Sequence, residues 1–181
     1  MSEGIYDFID KVLPLLFAFS FIAMLVLMAN LFLRMKSKVI EPGGYHYAKR
    51  YPVRSAVAFG GSLLVIILLS FALKAQARKE IQDYFDHLDP KTTSIQVNGN
   101  NVADSATMLK ALHIPADIWA HHSHPVNRIT ILITAKDGPL MLRLGRDSQE
   151  PKEYWVFYPH YRYLEHNEVY RISTALFDQY P

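Results

Sequence analysis

Two long uncharged stretches near the start of the chain constrain its fold more than any other feature. The first runs from Val12 to Leu33 and contains 22 residues. At about 1.5 Å per residue, a helix of that length spans about 33 Å, enough to cross the hydrocarbon core of a bilayer. The second runs from Ser55 to Leu73 and contains 19 residues. We therefore predict a two-helix transmembrane hairpin with spans over 12–33 and 55–73.

A cleaved signal peptide is the alternative for the first stretch. Against it, the preceding tail contains Glu3, Asp7 and Asp10 with one lysine, and no small-residue cleavage site follows the apolar stretch. The apolar stretch is also longer than a usual signal-peptide core. We expect it to remain in the protein as an anchor.

Basic residues beside the spans predict the orientation of the hairpin. The connecting loop 34–54 contains six of them, Arg34, Lys36, Lys38, Lys49, Arg50 and Arg54. The N-terminal tail contains only Lys11, and three basic residues follow the second span. Because cytoplasmic loops are enriched in lysine and arginine, we predict a cytoplasmic loop with both termini outside. In a bacterium this is a two-pass inner-membrane protein with a periplasmic C-terminal domain.

The charge balance differs between the two parts of the chain. Residues 1–75 carry 8 Lys+Arg against 4 Asp+Glu, and residues 76–181 carry 11 against 13. A basic domain that could displace counterions from phosphates is therefore missing, and we expect no nucleic-acid partner. The chain has no cysteine, which fits an oxidising compartment without requiring one.

The two spans have the composition of an anchor that contacts the lipid bilayer. Neither contains an ionisable residue, so a transporter core or proton relay lacks its usual groups. Ala56, Gly60 and Gly61 form a small-residue surface on the second span. Such a surface lets helix backbones approach closely, and we favour packing against the first helix, with dimerisation as the alternative.

For the rest of the chain we predict a helical stalk over 76–92 and a folded domain over 93–181. The stalk is expected to couple the second span rigidly to the domain. Apolar alternation predicts strands at 94–97, 128–134 and 140–144, and YWVFY predicts another at 154–158. Turns are expected at Asn98-Gly99 and Asp137-Gly138.

Two helices complete the predicted domain. One begins at Asp104 or Ser105 and ends near Leu112, and an amphipathic helix is predicted over Glu168 to Tyr180. The expected fold class is therefore a two-helix transmembrane hairpin followed by a small α+β domain. Its antiparallel sheet would have three to five strands with helices on one face.

An aromatic run supplies the candidate partner-binding surface. Large rings occupy both sides of the strand at 154–158, so one side is expected in the core and the other on the surface. Arginines on the adjoining strand could form its polar rim. The candidate residues are Tyr154, Trp155, Tyr158, Tyr161, Arg162, Arg143 and Arg146. Aromatic filling of a small core is the competing interpretation.

A histidine cluster supplies the candidate metal site. His121, His122 and His124 lie within four residues, and imidazole nitrogens suit zinc, copper or nickel. The spacing matches no strong metal-binding signature, and a polar connection between helix and strand explains it equally. We predict no resident cofactor.

These patterns favour binding over catalysis. Ser148 and Ser123 are available nucleophiles, but no motif places either beside a histidine and an acid. We expect a protein-binding module, not an enzyme: an immunity protein against an envelope-acting toxin, or an accessory subunit of an envelope complex. A periplasmic metal or pH sensor that uses the histidine cluster is the alternative, and an envelope hydrolase ranks third.

Overall fold

The computed structural model describes residues 3–39, 52–113 and 122–180. The chain divides into two compact units, Met1–Ala72 and Leu73–Pro181. The first contains long apolar helices and the second contains a small antiparallel sheet, as expected.

Two long helices account for the apolar stretches. Helix α1 is Glu3–Val39 and helix α2 is Val53–Asp86. By length and composition both could cross a membrane. Pro14 lies inside α1, near its beginning.

The end of α2 belongs to the core of the second unit. Ala77, Ile81 and Phe85 recur every four residues and are buried, because positions four apart share one face of a helix. The Tyr84 hydroxyl donates to the Gly138 carbonyl oxygen at 2.7 Å. The segment predicted as a stalk is thus an integral element of the domain.

A six-stranded antiparallel sheet forms the second unit, in the order β2-β1-β3-β4-β5-β6. The strands are β1 (Ser94–Val97), β2 (Asn100–Asn101), β3 (Pro125–Ala135), β4 (Gly138–Asp147), β5 (Glu153–Phe157) and β6 (Tyr170–Ser173). The expected three to five strands were too few, because the C-terminal β6 was predicted as part of a helix.

Both predicted turns are present. Asn98 and Gly99 connect β1 to β2 with φ of 50° and 82°, the paired positive values of a type I′ turn. Gly138 has φ of 105° where β4 begins, a conformation that glycine adopts without a Cβ clash.

Helix α3 is Ser105–His113, as the capping pattern predicts. The carboxylate of Asp104 accepts the backbone N–H of Thr107 at 3.0 Å, which satisfies one donor of the first turn. The Tyr170 hydroxyl donates to the Leu112 carbonyl oxygen at 3.3 Å and so joins α3 to β6.

One face of the sheet is mostly apolar, and we call it the helix-covered face. Strand alternation places twelve buried side chains on it: Ile95, Val97, Ile129, Ile131, Ile133, Leu140, Leu142, Leu144, Tyr154, Val156, Tyr170 and Ile172. The buried side chains of α2 and α3 complete this core. The predicted packing of helices on one face of a sheet accounts for this burial.

The predicted helix over 168–180 is wrong. Val169, Ile172 and Leu176 have helical spacing, but residues 170–173 form β6 against β5, with Trp155 opposite Arg171. The exposed edge of β5 offers a row of backbone donors and acceptors, and pairing with it outweighs a weak helical pattern. The remainder of the segment forms turns.

Candidate functional site

The aromatic run is divided between the two faces of the sheet. Tyr154 lies on the helix-covered face, where its ring packs edge-on against Phe177 with centroids 5.4 Å apart. Its hydroxyl donates to Asp178 at 2.8 Å. Burial, followed by this carboxylate, raises the pKa of Tyr154 to about 12. Trp155 points to the opposite face and is half-buried.

Tyr158 and Tyr161 follow β5 and turn into the interior. Their rings pack edge-on with centroids 5.8 Å apart, and both side chains are buried. The Tyr161 hydroxyl donates to the carboxylate of Glu80 on α2 at 2.6 Å. These rings, with Tyr154, fill the core, which was the competing interpretation of the run.

The other face of the sheet carries the accessible candidates, and we call it the open face. Strand register aligns Gln96, Leu132 and Met141 in one row across it, and Thr130, Arg143 and Phe157 in the next. Met141 is 42% exposed, whereas Leu132 is half-buried. Leu132 and Met141, the apolar part of the first row, therefore reach the surface.

A buried polar network lies at one end of the open face. The Asp147 carboxylate is fully buried and accepts hydrogen bonds from the Ser123 hydroxyl, from Trp155 Nε1 at 2.8 Å, and from the backbone N–H groups of Gln149 and Glu150 at 2.8 and 3.1 Å. Burial by itself would raise the pKa of Asp147. The four donors outweigh burial and hold that pKa well below its usual range.

Arg171 completes the network. Its guanidinium lies 4.1 Å from the centre of the Trp155 ring and forms ion pairs with Asp147 at 3.5 Å and Glu168 at 2.9 Å. The side chain is 6% exposed. A buried charge with several partners constrains geometry more than it stabilises the fold, so this network holds Trp155 in one orientation.

The predicted arginines do not form one rim. Arg146 lies on the helix-covered side and pairs with Asp178 at 3.2 Å. Arg143 lies on the open face and pairs with Glu165 at 2.7 Å, and Arg162 begins the same 3-10 turn, Arg162–Glu165. The hydrogen bond from Arg143 is the main cause of the lowered pKa of Glu165.

Two histidines of the predicted cluster lie within the described residues. His122 and His124 are exposed, and His121 lies outside the described residues. Within residues 3–39, 52–113 and 122–180, no group of three histidine, aspartate or glutamate side chains could hold a metal ion. The predicted three-histidine metal site stays a prediction.

A serine and a histidine do meet beside this segment. The Ser148 hydroxyl lies 3.3 Å from His124 Nδ1, and it also accepts the backbone N–H of His124 at 3.2 Å. The carboxylate of the neighbouring Asp147 already accepts a hydrogen bond from the Ser123 hydroxyl. Among the described residues no carboxylate is bonded to His124, so the pair lacks the third group that orients a catalytic histidine.

The small-residue surface of α2 is open in the first unit. Gly60 and Gly61 are exposed, and a Cβ built on either would meet nothing within 4 Å among the described residues. Ala56 is exposed as well. The favoured packing against α1 therefore does not occupy these positions, and the dimerisation alternative stays a prediction.

Three important residues escaped the sequence-based prediction. Arg171 fell in a predicted helix, Arg128 in a strand noted only for its isoleucines, and Leu132 alternates with the core residues of β3. Strand alternation alone could have marked Leu132 and Arg128 as open-face residues. No pattern in the sequence brings Ser123, Asp147 and Arg171 together.

Comparison of the chain with protein-family models, with curated proteins and with solved structures finds no match.

Proposed function

We propose that this chain is a membrane-anchored protein-binding module whose sheet domain contacts its partner through the open face. The observation that carries the proposal is the contrast between the two faces of the sheet. One face buries twelve apolar side chains, whereas the other, which also carries Trp155, leaves Leu132 and Met141 accessible. An apolar row bordered by arginine, on a face that also carries tryptophan, has the composition that protein interfaces favour.

The anchoring part of the proposal rests on the surface of α1 and α2. Large apolar side chains are exposed along both helices, and they include Phe8, Leu15, Phe21, Leu64, Leu68 and Phe71. In water such a surface would be costly, because each large side chain loses about 1.5–3 kcal/mol when it is left exposed. A bilayer removes this cost.

We infer the orientation from the basic loop. Six cations over 34–54 favour a cytoplasmic loop, which leaves the sheet domain outside, in the periplasm of a bacterium. An immunity protein against an envelope-acting toxin and an accessory subunit of an envelope complex both suit this arrangement. Neither role needs a catalytic step.

The absence of cysteine makes the orientation directly testable. Single cysteines at Lys110 and Gly43 are to be treated in intact cells with a membrane-impermeant maleimide. We expect labelling at position 110 only, and labelling at position 43 after the membrane is broken. Labelling at 43 in intact cells would refute the orientation.

Site-specific photo-crosslinking tests the binding surface. A photoreactive amino acid placed at Met141 of the full chain in cells is expected to form a discrete protein adduct. The matched control is Lys110, which is equally exposed but lies on α3, on the other side of the sheet. Equal adducts at both positions, or none at Met141, would contradict the proposal.

A further inference from the structure

Two arginines, Arg128 and Arg143, lie beside Phe157 on the open face. The Arg128 guanidinium lies over the Phe157 ring, 4.9 Å from its centre. Phe157 is the cross-strand neighbour of Arg143, and Arg143 pairs with Glu165 of the turn that Arg162 begins. We call Arg128 and Arg143 the arginine patch.

Gly145 allows this arrangement. It lies between Arg128 on β3 and Trp155 on β5, and a Cβ there would come within 2.6 Å of Pro125 and 3.4 Å of Phe157. With no side chain at this position, Arg128 reaches across β4 to the phenylalanine. The ring then holds the guanidinium in place before any partner arrives.

The charge of the patch is unbalanced. Glu165 is the one carboxylate paired with it in the described part of the chain, and it contacts Arg143. Arg128 forms no ion pair with any described residue, and its side chain is exposed.

The chemistry of the patch selects carboxylates. A guanidinium offers a planar fork that can bind a carboxylate with two parallel hydrogen bonds. Within the chain, Arg143 already donates one hydrogen bond to the Glu165 carboxylate. The apolar row of Leu132 and Met141 runs directly beside Arg143. A ligand that fits both must present acidic and apolar side chains close together.

We propose that the arginine patch binds an acidic segment of the protein partner, with carboxylates on Arg128 and Arg143 and apolar side chains on Leu132 and Met141. This inference rests on the proposed function and specifies the chemistry of the partner. Glu165 occupies Arg143 in the free protein and competes with the incoming carboxylate.

The test uses the full chain in nanodiscs of phosphatidylcholine. The probes are fluorescent peptides of alternating Glu and Leu, or of alternating Lys and Leu, and fluorescence anisotropy measures their binding. We expect the acidic peptide to bind and the basic peptide not to bind. Arg128→Glu should weaken the acidic peptide by about tenfold or more, as for the loss of one charge-assisted pair.

Two matched variants sharpen the result. Lys110→Glu makes the same charge change on α3 and should leave the affinity as in the wild type. Glu165→Gln removes the competing carboxylate and should strengthen binding severalfold. Near-ultraviolet circular dichroism checks that each variant keeps the fold, and the exposure of Arg128 makes that outcome expected.

Equal losses for Arg128→Glu and Lys110→Glu would overturn the inference. It would be overturned equally if phosphatidylglycerol vesicles bound in an Arg128-dependent way while the acidic peptide did not. The Met141 crosslink in cells separates the two proposals. An adduct that persists in Arg128→Glu removes the acidic-segment inference alone, whereas no adduct in the wild type removes the proposed function.

Discussion

Replacing Asp147 by asparagine should destabilise the sheet domain by about 3 kcal/mol at neutral pH. One carboxylate oxygen accepts two backbone N–H groups, and the other accepts the Ser123 hydroxyl and the Trp155 ring N–H. An asparagine has one acceptor oxygen, so its amide group must face two donors whichever way it turns. Two lost hydrogen bonds to a charged group at about 1.5 kcal/mol each give this figure.

The effect should depend on pH with a defined sign. The pKa of Asp147 is lowered in the folded protein. As the pH falls, this carboxylate is therefore protonated in the unfolded chain before it is protonated in the folded protein. The contribution of the carboxylate is complete above the unfolded pKa of about 3.9 and is lost as the pH falls towards the folded value. The difference between wild type and Asp147→Asn should therefore shrink below about pH 4.

Urea unfolding of the full chain in detergent micelles measures both quantities. Trp155 fluorescence reports on the domain when all variants carry Trp119→Phe. Asp137→Asn is the matched control, because it makes the same chemical change in an exposed turn where asparagine is equally suitable. A loss for Asp147→Asn no larger than for Asp137→Asn, or a difference that stays constant into acid, would refute the reasoning.

Three further substitutions test the packing of the domain by thermal and urea unfolding. Gly145→Ala should cost about 1–3 kcal/mol, because the added Cβ would lie 2.6 Å from Pro125 Cβ. Tyr161→Phe should cost about 1–2 kcal/mol, because the charged Glu80 carboxylate loses the hydrogen bond that the Tyr161 hydroxyl donates. Ile81→Ala should cost about 2–5 kcal/mol, because its side chain is fully buried on α2.

A control variant or an opposite result would contradict each of these three predictions. Gln82→Ala, one position along α2 and exposed, should change the free energy of unfolding little. If Ile81→Ala were as mild as Gln82→Ala, the end of α2 would not be part of the core. An unchanged melting temperature for Gly145→Ala or Tyr161→Phe would likewise contradict the packing described for those residues.

Local patterns in the sequence predicted most of the sheet. The β3–β4 hairpin combines strict alternation of isoleucine and leucine with an Asp137-Gly138 turn, and both signals act within a few residues. The C-terminal segment carried opposing signals. Val169 and Ile172 match a helical period, while Tyr170 and Ile172 match a strand period, and only the neighbouring edge of β5 decides between them.

The candidate site was less predictable for a related reason. Alternation correctly separates Tyr154 from Trp155, but Tyr158 and Tyr161 lie beyond the end of β5, where period-two reasoning no longer applies. Their burial depends on contacts with distant residues, such as Glu80 of α2. The polar network is also non-local, because Ser123 and Arg171 reach Asp147 from 24 residues away on either side.

In the proposed function, the two faces of the sheet divide stability and binding between different residues. The helix-covered face supplies the buried apolar area, so substitutions there should act on folding. On the open face, Trp155 is held by the Arg171 guanidinium over its ring and by its hydrogen bond to Asp147. The Phe157 ring holds Arg128, so the side chains that would meet a partner are already ordered. Less conformational entropy is then lost on association. A surface with few mobile side chains can therefore bind selectively although only one row of apolar side chains reaches it.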